Sequence, residues 1–102
     1  MEDEIISRYG NIEVVETLRY GAWDGGTRTI YKTKIPLWEE TYQSGHPLFG
    51  YISPPRFTAW PKYLPENLPK GASEMDDSDP YFGPFVIFYD ALSAFNYVQG
   101  HE

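Results

Sequence analysis

The sequence contains no cysteine. This excludes a disulfide framework and every thiolate metal site. Its two histidines, His46 and His101, stand far apart with no metal-ligand spacing partner, so neither zinc nor histidine catalysis is expected. Long apolar runs are also missing. The longest apolar-looking stretch, from Phe82 to Tyr89, falls far short of the roughly 20 residues that span a bilayer as a helix. The opening residues MEDEIISRYG are acidic and lack a basic segment followed by an apolar one. No signal peptide and no membrane partner are therefore expected, and the absence of cysteine suits the cytoplasm.

Nucleotide signatures are lacking too. Gly25-Gly26 follows a strand-like run, but neither G-x-G-x-x-G nor G-x-x-x-x-G-K-[ST] occurs, and G-x-S-x-G is absent. No cofactor is expected. Positive charge is scarce, with 8 basic against 15 acidic side chains and a net charge of −7. That balance excludes phosphate neutralisation as a default mode, and with it direct nucleic-acid binding. It favours solubility and, secondarily, a basic partner.

What is present in excess is aromatic. Phe, Trp and Tyr make up 18% of the 102 residues. The length matches one domain, 1–102, because two separate cores would each be too small.

Between Asn11 and Glu40 the pattern alternates. Ile12, Val14, Leu18 and Tyr20 share one parity; Thr29, Tyr31, Thr33, Ile35 and Leu37 share the other. Such alternation predicts two strands. Trp23-Asp24-Gly25-Gly26 lies between them, and Asp-Gly is a strong signal for a tight hairpin turn. A tip at Asp24-Gly25 pairs Tyr20 with Thr29, Leu18 with Tyr31 and Val14 with Ile35. A tip at Gly25-Gly26 keeps the same faces, and parity excludes the register between the two. Pro36 places the second strand at an edge or ends it there.

Eight of the nine prolines fall between Pro47 and Pro84. Their frequency predicts neither a long helix nor a central strand there. The same segment carries Leu48, Phe49, Tyr51, Ile52, Phe57, Trp60, Tyr63, Leu64 and Leu68, too many large apolar groups to leave in water. An ordered, irregular segment wrapped over the hairpin is the expectation. Pro69–Pro80 reads as a solvated acidic loop. Its run Glu74-Met75-Asp76-Asp77-Ser78-Asp79 does not match an EF-hand, since Phe82 and Phe88 fall where glycine and glutamate belong.

Residues 84–89 read as a buried strand and 90–99 as a short helix, with Asp90 as N-cap and Gly100 as the stop. Glu2–Tyr9 fits a short helix or an extra strand equally well. The fold class expected is α+β: a small antiparallel sheet on the 11–37 hairpin, the irregular proline and aromatic segment, then strand and helix.

The function expected is non-enzymatic. An inhibitor or adaptor, of the kind viruses use against host defences, would bind a protein partner through aromatic side chains held by prolines. The contact residues predicted are Trp23, Trp38, Arg56, Phe57, Trp60 and Tyr63. A strand edge could also pair two copies into a homodimer. The alternative is a site that stacks a sugar or another planar molecule on Trp38, Trp60 and Tyr63. A carboxylate enzyme built on a pair such as Glu39-Glu40 ranks third.

Overall fold

Hydrophobic alternation and β-branched residues shape most of this chain, and the computed structural model shows how. It describes residues 2–21, 25–43, 50 and 52–100. Trp23, Asp24, His46, Leu48, Phe49, Tyr51 and His101 lie outside the described residues. Among the described residues, helix α1 (Glu2–Tyr9) precedes strands β1 (Val14–Tyr20), β2 (Gly25–Tyr31), β3 (Leu37–Gln43), β4 (Arg56–Ala59), β5 (Ala72–Asp76) and β6 (Phe85–Phe88). Helix α2 (Ala91–Val98) follows. The strands form one sheet in the order β1-β2-β3-β4-β6-β5, antiparallel throughout. This is an α+β arrangement, as expected.

The core lies on one face of the central strands. Leu37 of β3, Phe57 and Ala59 of β4, and Val86 and Phe88 of β6 point to that face and are almost wholly buried. Ala94, Phe95 and Val98 of α2 cover them, with Ile5 of α1 completing the cluster. Leu37, Val86, Phe88 and Val98 expose no more than 2% of their surface. Burial of that kind stabilises by about 1.5–3 kcal/mol per side chain. Phe95 meets Tyr31 edge-on at 5.1 Å between ring centroids. Helix α2 starts as its sequence predicts: the Asp90 carboxylate accepts from the Ser93 backbone at 3.1 Å and from its hydroxyl at 2.7 Å. It stops before Gly100, whose φ is 82°.

Four expectations are corrected. The second hairpin strand does not run from Thr29 to Leu37. Strand β2 ends at Tyr31, the chain bends at Lys34–Ile35, and β3 begins after Pro36. Proline supplies no ladder N–H, so it marks the break.

The hairpin register also differs. Tyr20 pairs with Gly26 and Thr17 with Thr29, which is the parity that alternation excluded. All seven residues of β1 are exposed, so no buried face enforces the expected register. An irregularity between Val14 and Glu16 further shifts the pairing. Tyr20 instead folds its ring over Gly26, where an added Cβ would stand 2.5 Å from the phenol oxygen. The missing side chain at Gly26 makes room for the tyrosine.

Third, the proline-rich segment is not irregular throughout. Arg56–Ala59 is a central strand, between β3 and β6. Pro54, Pro55 and Pro61 flank those four residues without entering them. Fourth, the acidic loop contains a strand, with Ala72 and Met75 of β5 facing the core beside Phe88 and Val86. Glu74 and Asp76 take the other side.

Candidate functional site

The sheet face turned away from the helices is laid out by the same alternation. Trp38 of β3 pairs with Thr58 of β4, Thr58 with Ile87 of β6, and Ile87 with Glu74 of β5. One rung along, Arg28, Glu40 and Arg56 stand opposite one another on β2, β3 and β4. Opposite charges placed directly across strands attract. Glu40 accepts from Arg28 at 3.2 Å and from Arg56 at 3.1 Å. The Arg28 guanidinium also lies 4.3 Å from the Trp38 ring centroid, close enough for a cation–π contact.

Four rings gather beyond this row. Trp60 leaves β4 with its backbone N–H donating to the Pro36 carbonyl at 2.9 Å. Its ring lies 4.8 Å from Trp38, 5.4 Å from Phe82 and 5.5 Å from Phe85. Phe82 also meets Trp38 edge-on at 5.1 Å. A groove of about 460 Å³ runs over these residues, from Arg28 and Arg56 at one end to Glu74, Asp76 and Asp79 at the other.

Two residues lining this groove each carry a buried polar atom with no hydrogen-bond partner among the described residues: Thr58 Oγ1 and Trp60 Nε1. Thr58 is only 3% exposed. An unsatisfied buried group costs about 1–3 kcal/mol, and native proteins leave few of them.

The acidic end is ordered by its own backbone. Asp76 Oδ1 accepts from the N–H groups of Asp77 at 2.6 Å and Ser78 at 2.9 Å. The Ser78 N–H, followed by the Ser78 hydroxyl and the Asp77 N–H, holds the Asp76 carboxyl below its ordinary value. Asp76 is therefore charged at neutral pH. Asp79 Oδ1 accepts from Tyr81 at 2.8 Å and Phe82 at 2.7 Å, which fixes the turn that presents Phe82. No basic side chain pairs with Glu74, Asp76 or Asp79 among the described residues. Nor does any group of three acidic or histidine side chains among them stand close enough to hold a metal ion.

Of the residues singled out from the sequence, Trp38, Arg56 and Trp60 come together here. Phe57 does not. Its neighbours in β4 point to the groove, but Phe57 is 3% exposed on the opposite face, within the core. Tyr63 is 75% exposed, with Lys62 5.7 Å from its ring, and does not line the groove. Trp23 lies outside the described residues.

Arg28, Thr58 and Phe82 were not anticipated, and Glu40 entered only as half of a carboxylate pair. Their signal was alternation within short runs: Trp38 and Glu40 share a face, as do Arg56 and Thr58. Glu39 and Glu40 do not come together as a pair. They point to opposite faces, and Glu39 accepts from the Tyr31 hydroxyl at 2.6 Å.

A second cavity, of about 290 Å³, lies between α2 and Pro69–Lys70. Several of its polar groups are matched: Arg8 and Tyr9 both donate to Asn96, and Ser93 to Asp90. No helix among the described residues is long and apolar enough to cross a membrane. In comparisons with known proteins, no protein family, curated protein or solved structure matches this chain.

Proposed function

We propose that this protein is a non-enzymatic interaction module that binds a segment of a partner protein in the groove over Trp38, Thr58 and Trp60. The single observation behind this reading is the pair of buried, unpartnered polar atoms, Thr58 Oγ1 and Trp60 Nε1, in a groove walled by aromatic rings. A hydroxyl and an indole N–H without partners mark a place where hydrogen bonds are still to be made. The rings supply contact area at low conformational cost, and Trp and Arg are the residues that most often dominate interface energies. An inhibitor or adaptor role fits such a surface.

The test is a photo-reactive residue placed at Tyr81, an exposed neighbour of the groove-lining Phe82, and at Ser7 on α1 as a control. Ser7 is exposed. The expected result is stoichiometric cross-linking of one protein from the Tyr81 position and none from Ser7, abolished by Trp60→Ala. Capture that survives Trp60→Ala, with the fold intact, would place the contact elsewhere. Co-purification of a sugar or another planar molecule, without a protein, would favour the small-ligand reading instead.

The outer edge of β1 suits a second copy of the chain. Its seven residues are all exposed, including Val14 at 50% and Val15 at 63%. An edge strand carries unpaired ladder groups ready for another strand.

A further inference from the structure

The groove brings aromatic rings and carboxylates together at both ends, and at one of them an arginine of the chain lies among them. At the basic end, the Arg28 guanidinium lies on the Trp38 ring and donates to Glu40. A flat cation is held there between an aromatic face and a carboxylate. At the other end the rings of Trp60, Phe82 and Phe85 stand beside Glu74, Asp76 and Asp79. Here the rings and carboxylates are present, and no basic side chain among the described residues joins them. Thr58, 3% exposed and with its hydroxyl unpartnered, sits in the floor between the two ends.

We propose that the acidic end of the groove binds the guanidinium of an arginine in the partner's chain, with the peptide carrying that arginine bonded to Trp60 and Thr58. This rests on the groove being the interaction site. The chemistry selects arginine in three ways. A guanidinium stacks on aromatic faces and donates in a plane to carboxylates, whereas an ammonium is a strongly hydrated point charge. A metal ion is disfavoured because no three acidic or histidine side chains among the described residues stand close enough to hold one. The two orphan atoms want different partners: the Trp60 indole only donates, so it needs an acceptor such as a peptide carbonyl, while the Thr58 hydroxyl can accept from a guanidinium N–H. One arginine residue within a peptide offers both. A free cation offers only one. Because both atoms are buried, binding requires a neighbouring ring to move aside, and Phe82, 58% exposed and 5.4 Å from Trp60, is the one free to do so. The protein's charge of −7 favours approach of a cationic segment.

The test uses the full chain and four short acetylated, amidated peptides of otherwise identical glycine and proline sequence. Their central residue is arginine, lysine, citrulline or glutamate. The readout is the indole N–H resonance of Trp60, assigned through Trp60→Phe. Citrulline keeps the shape of arginine and removes its charge. Saturable movement of the Trp60 resonance is expected with the arginine peptide. Lysine should bind several-fold more weakly, and citrulline at least about tenfold more weakly, as loss of charge-assisted hydrogen bonds implies. The double variant Glu74→Gln/Asp76→Asn should lose a similar factor. Thr58→Val should weaken binding without lowering the melting temperature, which separates a binding role from a structural one.

Equal binding of the citrulline peptide, or no effect of Glu74→Gln/Asp76→Asn, would overturn the proposal. So would an arginine peptide that leaves the Trp60 resonance still while cross-linking from Tyr81 captures a protein; the interaction reading then stands and only the arginine assignment falls. If neither the peptides nor any cross-linked protein engages the groove, both fall together.

Discussion

Neighbouring residues of β4 meet opposite fates. Phe57 is packed between the sheet and α2, 6.3 Å from Phe95, while Thr58 faces the groove. Tyr63, four residues beyond β4, is 75% exposed. Phe57→Ala is therefore expected to cost about 3–5 kcal/mol, as large-to-small changes in a core do. Tyr63→Ala should stay within about 0.5 kcal/mol of wild type. Chemical denaturation of the two variants checks both, and a Tyr63 variant as damaged as the Phe57 one would show that the exposed ring has a structural role. The sequence could not sort these rings, because a lone aromatic looks the same whether it faces helix or solvent. Parity within Arg56–Ala59 carries the answer only once that run is known to be a strand, and the surrounding prolines hid it. Thr58 was invisible for another reason: an unpartnered hydroxyl is a property of its surroundings and leaves no mark on composition.

Among the elements, those fixed by local chemistry were legible. Helix α2 begins at a carboxylate that caps it and ends before a glycine, so its bounds could be read directly. Strand β6 was legible through its unbroken apolar run. Strand β5 was not, since its two acidic residues, Glu74 and Asp76, outweigh Met75 as a signal although Met75 and Ala72 are what seat it on the core. The β1–β2 register failed because β1 has no buried face to hold it. Where β5 begins, Gly71 approaches α2 closely: its φ is 82°, and an added Cβ would stand 2.5 Å from Ser93 Cβ. Both the left-handed backbone and the contact oppose a side chain there. Gly71→Ala is expected to destabilise by about 1–3 kcal/mol. The companion double variant Gly71→Ala/Ser93→Gly should recover the steric part and leave the backbone part. A single variant as stable as wild type in thermal melts would contradict the close packing.

At the scale of the whole molecule, the sheet is covered by helices on one face and by its own aromatic side chains on the other. Its ends differ. Strand β5 closes one edge with carboxylates, which discourage a further strand of like charge. Strand β1 leaves the other edge open, with Val14, Val15, Leu18 and Tyr20 exposed. Sedimentation equilibrium is expected to show a reversible dimer as concentration rises toward millimolar, and Val15→Lys to return it to monomer, because a charge on an edge strand blocks strand addition. A wild-type chain that remains monomeric throughout would remove β1 as a pairing edge. The α+β class was legible at this scale from the hairpin signals and the final strand and helix. The six-strand order was not, because β4 and β5 lay hidden among prolines and acids, and their pairing with β6 is a long-range matter.

The unmatched hydroxyl and indole at the groove carry one more consequence. A ligand that satisfies them favours the native chain over its unfolded forms by mass action. Proteases act on transiently opened molecules, so an occupied groove would lengthen the protein's half-life, and its cellular abundance would come to follow the supply of its ligand.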